Sequence, residues 1–228
     1  YSAQDVPVQK AVKQLQVAGV GPYVFDVVIE TPGADTAFDP VSLDVARRIE
    51  AELAKDASVR ATLSAPGIID FLQCRFVGPA HCGHSPVETA DEASQIWTVL
   101  FGGGREAGLI DDTRQYLRVR AFVESDETHV AERLIRIANE AASGSGLAIK
   151  TGGSAVAAKA LADGIVRVSL EKAVLLVAIV ALIGGVAFRS FRMALAFALP
   201  SAGTVLANFS YLGWSNTSLN VATAAVAT

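Results

Sequence analysis

Between Tyr23 and Pro32 the chain alternates, with Phe25, Val27 and Ile29 on one face and Asp26 and Glu30 on the other, as a half-buried strand does. The period then lengthens. Leu43, Ala46, Ile49 and Leu53 recur at helical spacing behind Asp39, which suits an N-cap, and Pro40, which suits the first helical position. Residues 59–64 read as a strand again. The same grammar returns downstream: Leu117, Val119, Ala121 and Val123 alternate with Arg118 and Arg120, a helical face follows at Val130, Leu134, Ile137 and Ala141, and residues 147–151 read as a strand. Two β-α-β units predict an α+β domain with a ferredoxin-like, split β-α-β sheet, helices on one face and right-handed crossovers. Residues 66–112 are expected to form an insertion of helix and loop, including the helical pattern "ADEASQIWTVLF".

From Ala173 to Trp214 the polar positions almost vanish, and the only formal charges after Lys172 are Arg189 and Arg192. Such a density fits lipid better than water as the solvent. A helical pattern starts at Ser154, a candidate N-cap, and Leu170–Phe188 is long enough to cross roughly 30 Å of hydrocarbon with Glu171 and Lys172 at the interface. Residues 193–214 form a second apolar run, with Pro200 as a kink site, Asn208 as an interhelical hydrogen-bonding group and Tyr211 and Trp214 at headgroup depth. "SNTS" reads as a turn, and another span begins at Leu219.

Arg189-Ser190-Phe191-Arg192 is then the whole connection between two spans, and short basic loops stay in the cytoplasm. On this reading Arg189 and Arg192 set the topology and residues 1–168 are periplasmic. Gly184 and Gly185 let the helices approach closely. The predicted organisation is a helical or linker segment at 1–22, an extracytoplasmic domain at 23–168 and a transmembrane region at 169–228.

Composition adds exclusions. The net charge of −4 is spread without runs, so nothing forms a nucleic-acid surface. The glycines of "FGGGREAG" follow a helical pattern and open no β-α-β unit, which argues for a loop rather than a dinucleotide site. His81, His84 and His129 have no recognisable nucleophile partner, Asp111-Asp112 reads as a solvated turn, and neither catalysis nor a cofactor is indicated. Cys74 and Cys82 fit a disulfide that staples the insertion; free thiols and, with His81 and His84, a metal site are the alternatives, although the spacing matches no standard zinc motif. Tyr1 in place of Met, and an apolar run that stops at Thr228 without a cap, read as a fragment of a longer chain.

Gly152, the "FRSFR" loop at 188–192, "ALPS" around Leu199-Pro200, "LNVATA" at 219–224 and "VIETPGADTAFDP" at 28–40 together carry a family likeness. By them the chain resembles the resistance-nodulation-division (RND) superfamily of exporters, closest to its "mycobacterial membrane protein large" (MMPL) and hopanoid-associated branch, with 28–40 resembling the start of a first porter subdomain. The resemblance implies a periplasmic porter-like domain followed by transmembrane helices in the bacterial inner membrane. It further implies proton-driven export or trafficking of a hydrophobic or amphipathic, lipid-like molecule. The expected partners are membrane lipid, that substrate, the remaining half of the same transporter chain, and a homo-oligomer or periplasmic protein. The proton-relay carboxylates of the family would fall beyond Thr228. An ATP-driven permease subunit of the ABC type, or a membrane-anchored sensor with a large outer domain, is the competing reading.

Overall fold

A computed structural model describes residues 14, 21–76, 89–101 and 108–214 of the chain. The expectations for most of 1–22, for His81, Cys82 and His84, for the glycine loop at 102–107 and for a span starting at Leu219 lie outside the described residues.

The chain divides into two compact units, one ending at Ala157 and one starting at Ala158. In the first, β1 (Tyr23–Glu30), α1 (Pro40–Ala54), β2 (Val59–Ser64), α2 (Ala65–Phe76), α3 (Ala90–Phe101), β3 (Tyr116–Val123), α4 (Thr128–Ala142) and β4 (Ala148–Gly152) follow one another. The strands form one antiparallel sheet in the order β2-β3-β1-β4, so the two β-α-β units interleave as a split β-α-β sheet requires. The register sets Phe25 opposite Ala121 and Val27 opposite Val119. Because side chains alternate faces along a strand, this places Phe25, Val27 and Ile29 of β1 and Leu117, Val119, Ala121 and Val123 of β3 on one buried face. They meet Leu43, Ala46, Ile49 and Leu53 of α1 and Val130, Leu134 and Ala138 of α4, all within one core. Each large aliphatic or aromatic residue buried there contributes about 1.5–3 kcal/mol.

The opposite face carries the charges. Arg120 grips Asp26 with two hydrogen bonds of 2.8 and 3.2 Å, and Lys150 meets Glu30 at 3.0 Å. The alternation that identified the strands in sequence is thus also the division between core and charged surface.

The described parts of the insertion are tied to the rest of the unit. α2 starts directly after β2, where the buried Ser64 hydroxyl accepts a hydrogen bond from the Gly67 N–H at 3.0 Å and donates one to Glu50 of α1. Arg47 of α1 holds Asp70 of α2 through bonds of 2.9 and 2.8 Å. On α3, Trp97 packs against Phe38 with ring centroids 6.2 Å apart, and Arg114 lies over the same Phe38 ring at 5.7 Å.

Two caps differ from expectation. Asp39 occupies the N-cap of α1 and Pro40 its first position, but the Asp39 carboxylate makes no capping bond; only its backbone carbonyl takes the Leu43 N–H, at 3.0 Å. At the far end of the unit the cap is Gly153, whose carbonyl accepts from the Ala157 N–H at 3.0 Å. Ser154 has a different partner. Its hydroxyl accepts from the Val24 N–H of β1 at 2.8 Å and lies 3.4 Å from the Val24 carbonyl oxygen. The register that pairs Asp26 with Gly152 would bring Ser154 opposite Val24, so the hydroxyl completes one more rung where the backbone has already turned into a helix.

The turn before β2 contains a strongly held carboxylate. Arg133 of α4 binds Asp56 through contacts of 2.6 and 3.1 Å, and the Ser58 N–H adds a third at 2.9 Å, while the Asp56 side chain is only 7% exposed. The Arg133 guanidinium holds this carboxyl far below the usual carboxylate range, against the upward push of its burial, with help from Ser58. A carboxyl depressed in the folded state stabilises it at pH values above the unfolded pKa of about 4, and that stabilisation fades as pH falls below this value. Asp56→Asn is therefore expected to lower stability at neutral pH by roughly 1.5–3 kcal/mol. The gap from the parent should narrow progressively below about pH 4. Urea midpoints measured for both proteins from pH 7 to pH 2.5 check this; a pH-independent gap would assign the loss to packing alone.

Candidate functional site

The second unit is built on two helices, α5 (Ser154–Phe188), which carries residues of both units, and α6 (Phe191–Trp214). In α5 the segment Leu170–Phe188 has 19 residues, a mean hydropathy of 2.2 and only 6% burial, and is long and apolar enough by length and composition to cross a membrane. In α6 the apolar stretch Phe191–Ala207 is shorter. The division between units at Ala157 precedes the boundary at 168/169 drawn from hydropathy, because α5 starts at β4 and runs without interruption into its apolar part.

Between these helices the chain reverses in two residues. The Ser190 N–H reaches back to the Gly185 carbonyl at 3.2 Å and the Arg189 N–H to the Val186 carbonyl at 3.3 Å. This pair of bonds is a Schellman closure, with Arg189 at φ 48° in the left-handed position that glycine usually fills. The Ser190 carbonyl then accepts from the N–H groups of both Met193 and Ala194 at 3.1 Å, starting α6. The connection is accordingly Arg189-Ser190, not the four residues expected: Phe191 and Arg192 already belong to the first turn of α6. Arg189 and Arg192 are exposed, and among the described residues neither has an ion pair or hydrogen-bonded side chain.

The glycines sit where the two helices touch. A Cβ on Gly184 would lie 2.6 Å from Cδ2 of Phe197, and one on Gly185 would lie 3.2 Å from Cβ of Ala194. The Phe197 ring stacks on Phe188, centroids 5.9 Å apart and planes 18° from parallel. Gly184, Gly185 and the arginine turn are thus assembled into one close hairpin. Pro200 lies inside α6, which continues through it; the Ser201 and Thr204 hydroxyls bond the carbonyls of Phe197 and Pro200 at 3.3 and 3.0 Å. Asn208 falls on α6, and its side chain lies outside the described residues.

The other sequence candidates belong to the first unit. Cys74 is on α2 and is disulfide-bonded; the chain contains two cysteines, and Cys82 lies outside the described residues. His129 is exposed and 3.3 Å from Glu127. Asp111 organises its own loop, accepting the N–H groups of Thr113, Gln115 and Tyr116 at 3.1, 2.9 and 2.8 Å. Partial burial pushes its pKa up, but these bonds and the Thr113 hydroxyl outweigh it and leave the group below the ordinary carboxylate range. That is a turn-forming role, and Asp112 takes no part in those bonds. Among the described residues no three His, Cys, Asp or Glu side chains gather as a metal site would require.

Sequence reasoning missed Gly153 and Gly21. Gly153 has φ +91°, and a Cβ there would lie 2.4 Å from the Val24 carbonyl oxygen; a Cβ on Gly21 would lie 2.5 Å from the backbone of Phe122 and Val123. The available signal was a glycine directly beside each end of the strand set. The sequence matches no protein-family model and no curated protein.

Proposed function

We propose that this chain supplies an extracytoplasmic α+β domain and the following membrane helices of a proton-driven transporter of the RND type, MMPL-like, which exports or moves a hydrophobic, lipid-like molecule. The observation that carries the reading is the continuity of α5. A split β-α-β sheet ends at β4, and within two residues the chain enters a single helix of 35 residues whose last 19, uncharged after Glu171 and Lys172, are predominantly apolar and close on an arginine turn. At 1.5 Å per residue, 35 helical residues extend about 52 Å, enough to cross roughly 30 Å of hydrocarbon with several turns in water. A helix common to a folded outer domain and a membrane bundle can transmit movement between them, which is what ion-coupled export requires. The hairpin supplies the orientation: Arg189 and Arg192 face the cytoplasm and the sheet domain faces outward.

The test is a topology map in bacterial spheroplasts. A membrane-impermeant maleimide should label Ser125→Cys in intact spheroplasts and Ser190→Cys only after permeabilisation. Reversing both charges, Arg189→Glu with Arg192→Glu, should expose Ser190→Cys from outside in a substantial fraction of molecules. Release of the protein by alkaline carbonate, or equal labelling of both cysteines from outside, would overturn the reading. In the complete transporter, lipid export should stop with a protonophore and survive ATP depletion at a clamped proton gradient; the opposite pattern points to an ATP-driven permease.

A further inference from the structure

α5 is fixed at both ends. Its first turn belongs to the sheet unit: the Ser154 hydroxyl forms a rung with Val24, Ala155 is fully buried and Val156 packs against the core. From Leu170 onward the helix is apolar enough to lie in hydrocarbon, and there its glycines meet α6. Any change of angle between the sheet unit and the apolar segment must be absorbed by residues 157–169. Alanine, lysine and leucine fill 157–162, all strong helix formers, whereas Gly164 is followed by the β-branched Ile165, Val166 and Val168. Two ion pairs brace this stretch, Lys159 with Asp163 and Arg167 with Glu171, each across one turn of helix. Gly164 falls between the braces. It is exposed, and beyond the helix's own backbone nothing lies within 4 Å of where its Cβ would be, in contrast with Gly184 and Gly185. Gly203 on α6 is equally open, but it lies in an apolar stretch, where a broken backbone bond finds no water to replace it. Gly164 precedes the apolar segment and meets water.

We propose that Gly164 is a pivot, at which α5 bends so that the sheet unit swings as a body on its membrane stem. The bend opens the backbone bonds of one turn, whose N–H and C=O groups pass to water, while the braced turns on either side stay helical. Movement is then confined to a single joint. A displacement of the apolar segment still reaches the sheet unit through the same helix, and neither has to unfold. The proposal rests on the membrane reading above, which supplies the fixed end beyond Leu170.

The experiment measures distances by pulsed electron paramagnetic resonance in the complete protein in lipid nanodiscs, between spin labels at His129→Cys on α4 and Leu176→Cys on α5, both exposed positions. The parent should give a broad distribution. Gly164→Ala should deplete its bent conformers by about fivefold, the ratio set by the difference between glycine and alanine inside a helix. Asp163→Gly in the Gly164→Ala background moves the glycine by one residue and removes one brace, and it should restore the breadth. A narrow distribution in the parent, or one that Gly164→Ala leaves unchanged, overturns the proposal. So does a failed rescue, which would mark Gly164 as a contact point for another helix. A protein extracted by carbonate fails the membrane reading itself, so the two failures are separable.

Discussion

Gly153→Ala is expected to unfold or severely weaken the α+β unit. The backbone at φ +91° costs an L-residue roughly 1–2 kcal/mol by itself. Added to that, the new Cβ would sit 2.4 Å from the Val24 carbonyl oxygen, 2.9 Å from its carbon and 3.1 Å from the Asp26 nitrogen. All three are backbone atoms of the central strand β1, so no side chain can rotate away to make room. Relief requires β4 and the start of α5 to separate from β1, with loss of the Ser154 rung to Val24. A total of about 3 kcal/mol or more is expected, against a stability of about 5–15 kcal/mol for a typical domain. The neighbouring Gly152 is the control: nothing lies within 4 Å of its Cβ position, and Gly152→Ala should change stability by no more than about 0.5 kcal/mol. Urea denaturation followed by tryptophan fluorescence compares them. Equal effects at the two positions would remove the steric argument.

Gly184→Leu should open the α5–α6 hairpin. The first added carbon meets Phe197 at Cδ2, Cγ and Cβ, at 2.6, 3.1 and 3.3 Å, so turning the ring relieves only part of the clash. Phe188, stacked on the other side of that ring, restricts the turn further. Overpacking of this kind costs roughly 1–3 kcal/mol, and here the helices are free to relieve it by parting. Spin labels on the exposed Leu176 and Leu206 should report a longer and broader distance distribution in micelles. Phe197→Ala in the same molecule should recover most of the separation, since the two changes share one contact and will not add. An unchanged distance in Gly184→Leu would show that the hairpin is held elsewhere.

Much of the α+β unit is legible in the sequence because its periods are clean. Phe25, Val27 and Ile29 against Asp26 and Glu30 give strand, face and core together, since one pattern serves all three. The limits of α5 and α6 are less so: Arg192 reads as loop by charge, yet backbone bonds to Gly185 and Val186 let α6 begin at Phe191. Ser154 and Asp39 carry cap chemistry in their composition, but a neighbouring strand claims the Ser154 hydroxyl and the Asp39 carboxylate does not cap. Gly153 was visible only as a glycine beside a strand end, without the reason for it. Its necessity comes from Val24, far away in the chain, and no local pattern encodes that approach.

Arg189 sets fit against address. Glycine at that position would close the turn with less backbone strain, by about 1 kcal/mol. A hairpin selected for compactness alone would therefore carry glycine there, and a sequence optimised for thermal stability would drift toward it. Under the proposed orientation that same change halves the positive charge of the turn and loosens the choice between the two ways of inserting. A more stable Arg189→Gly protein that inserts in both directions would be the mark of a residue retained at a cost to folding.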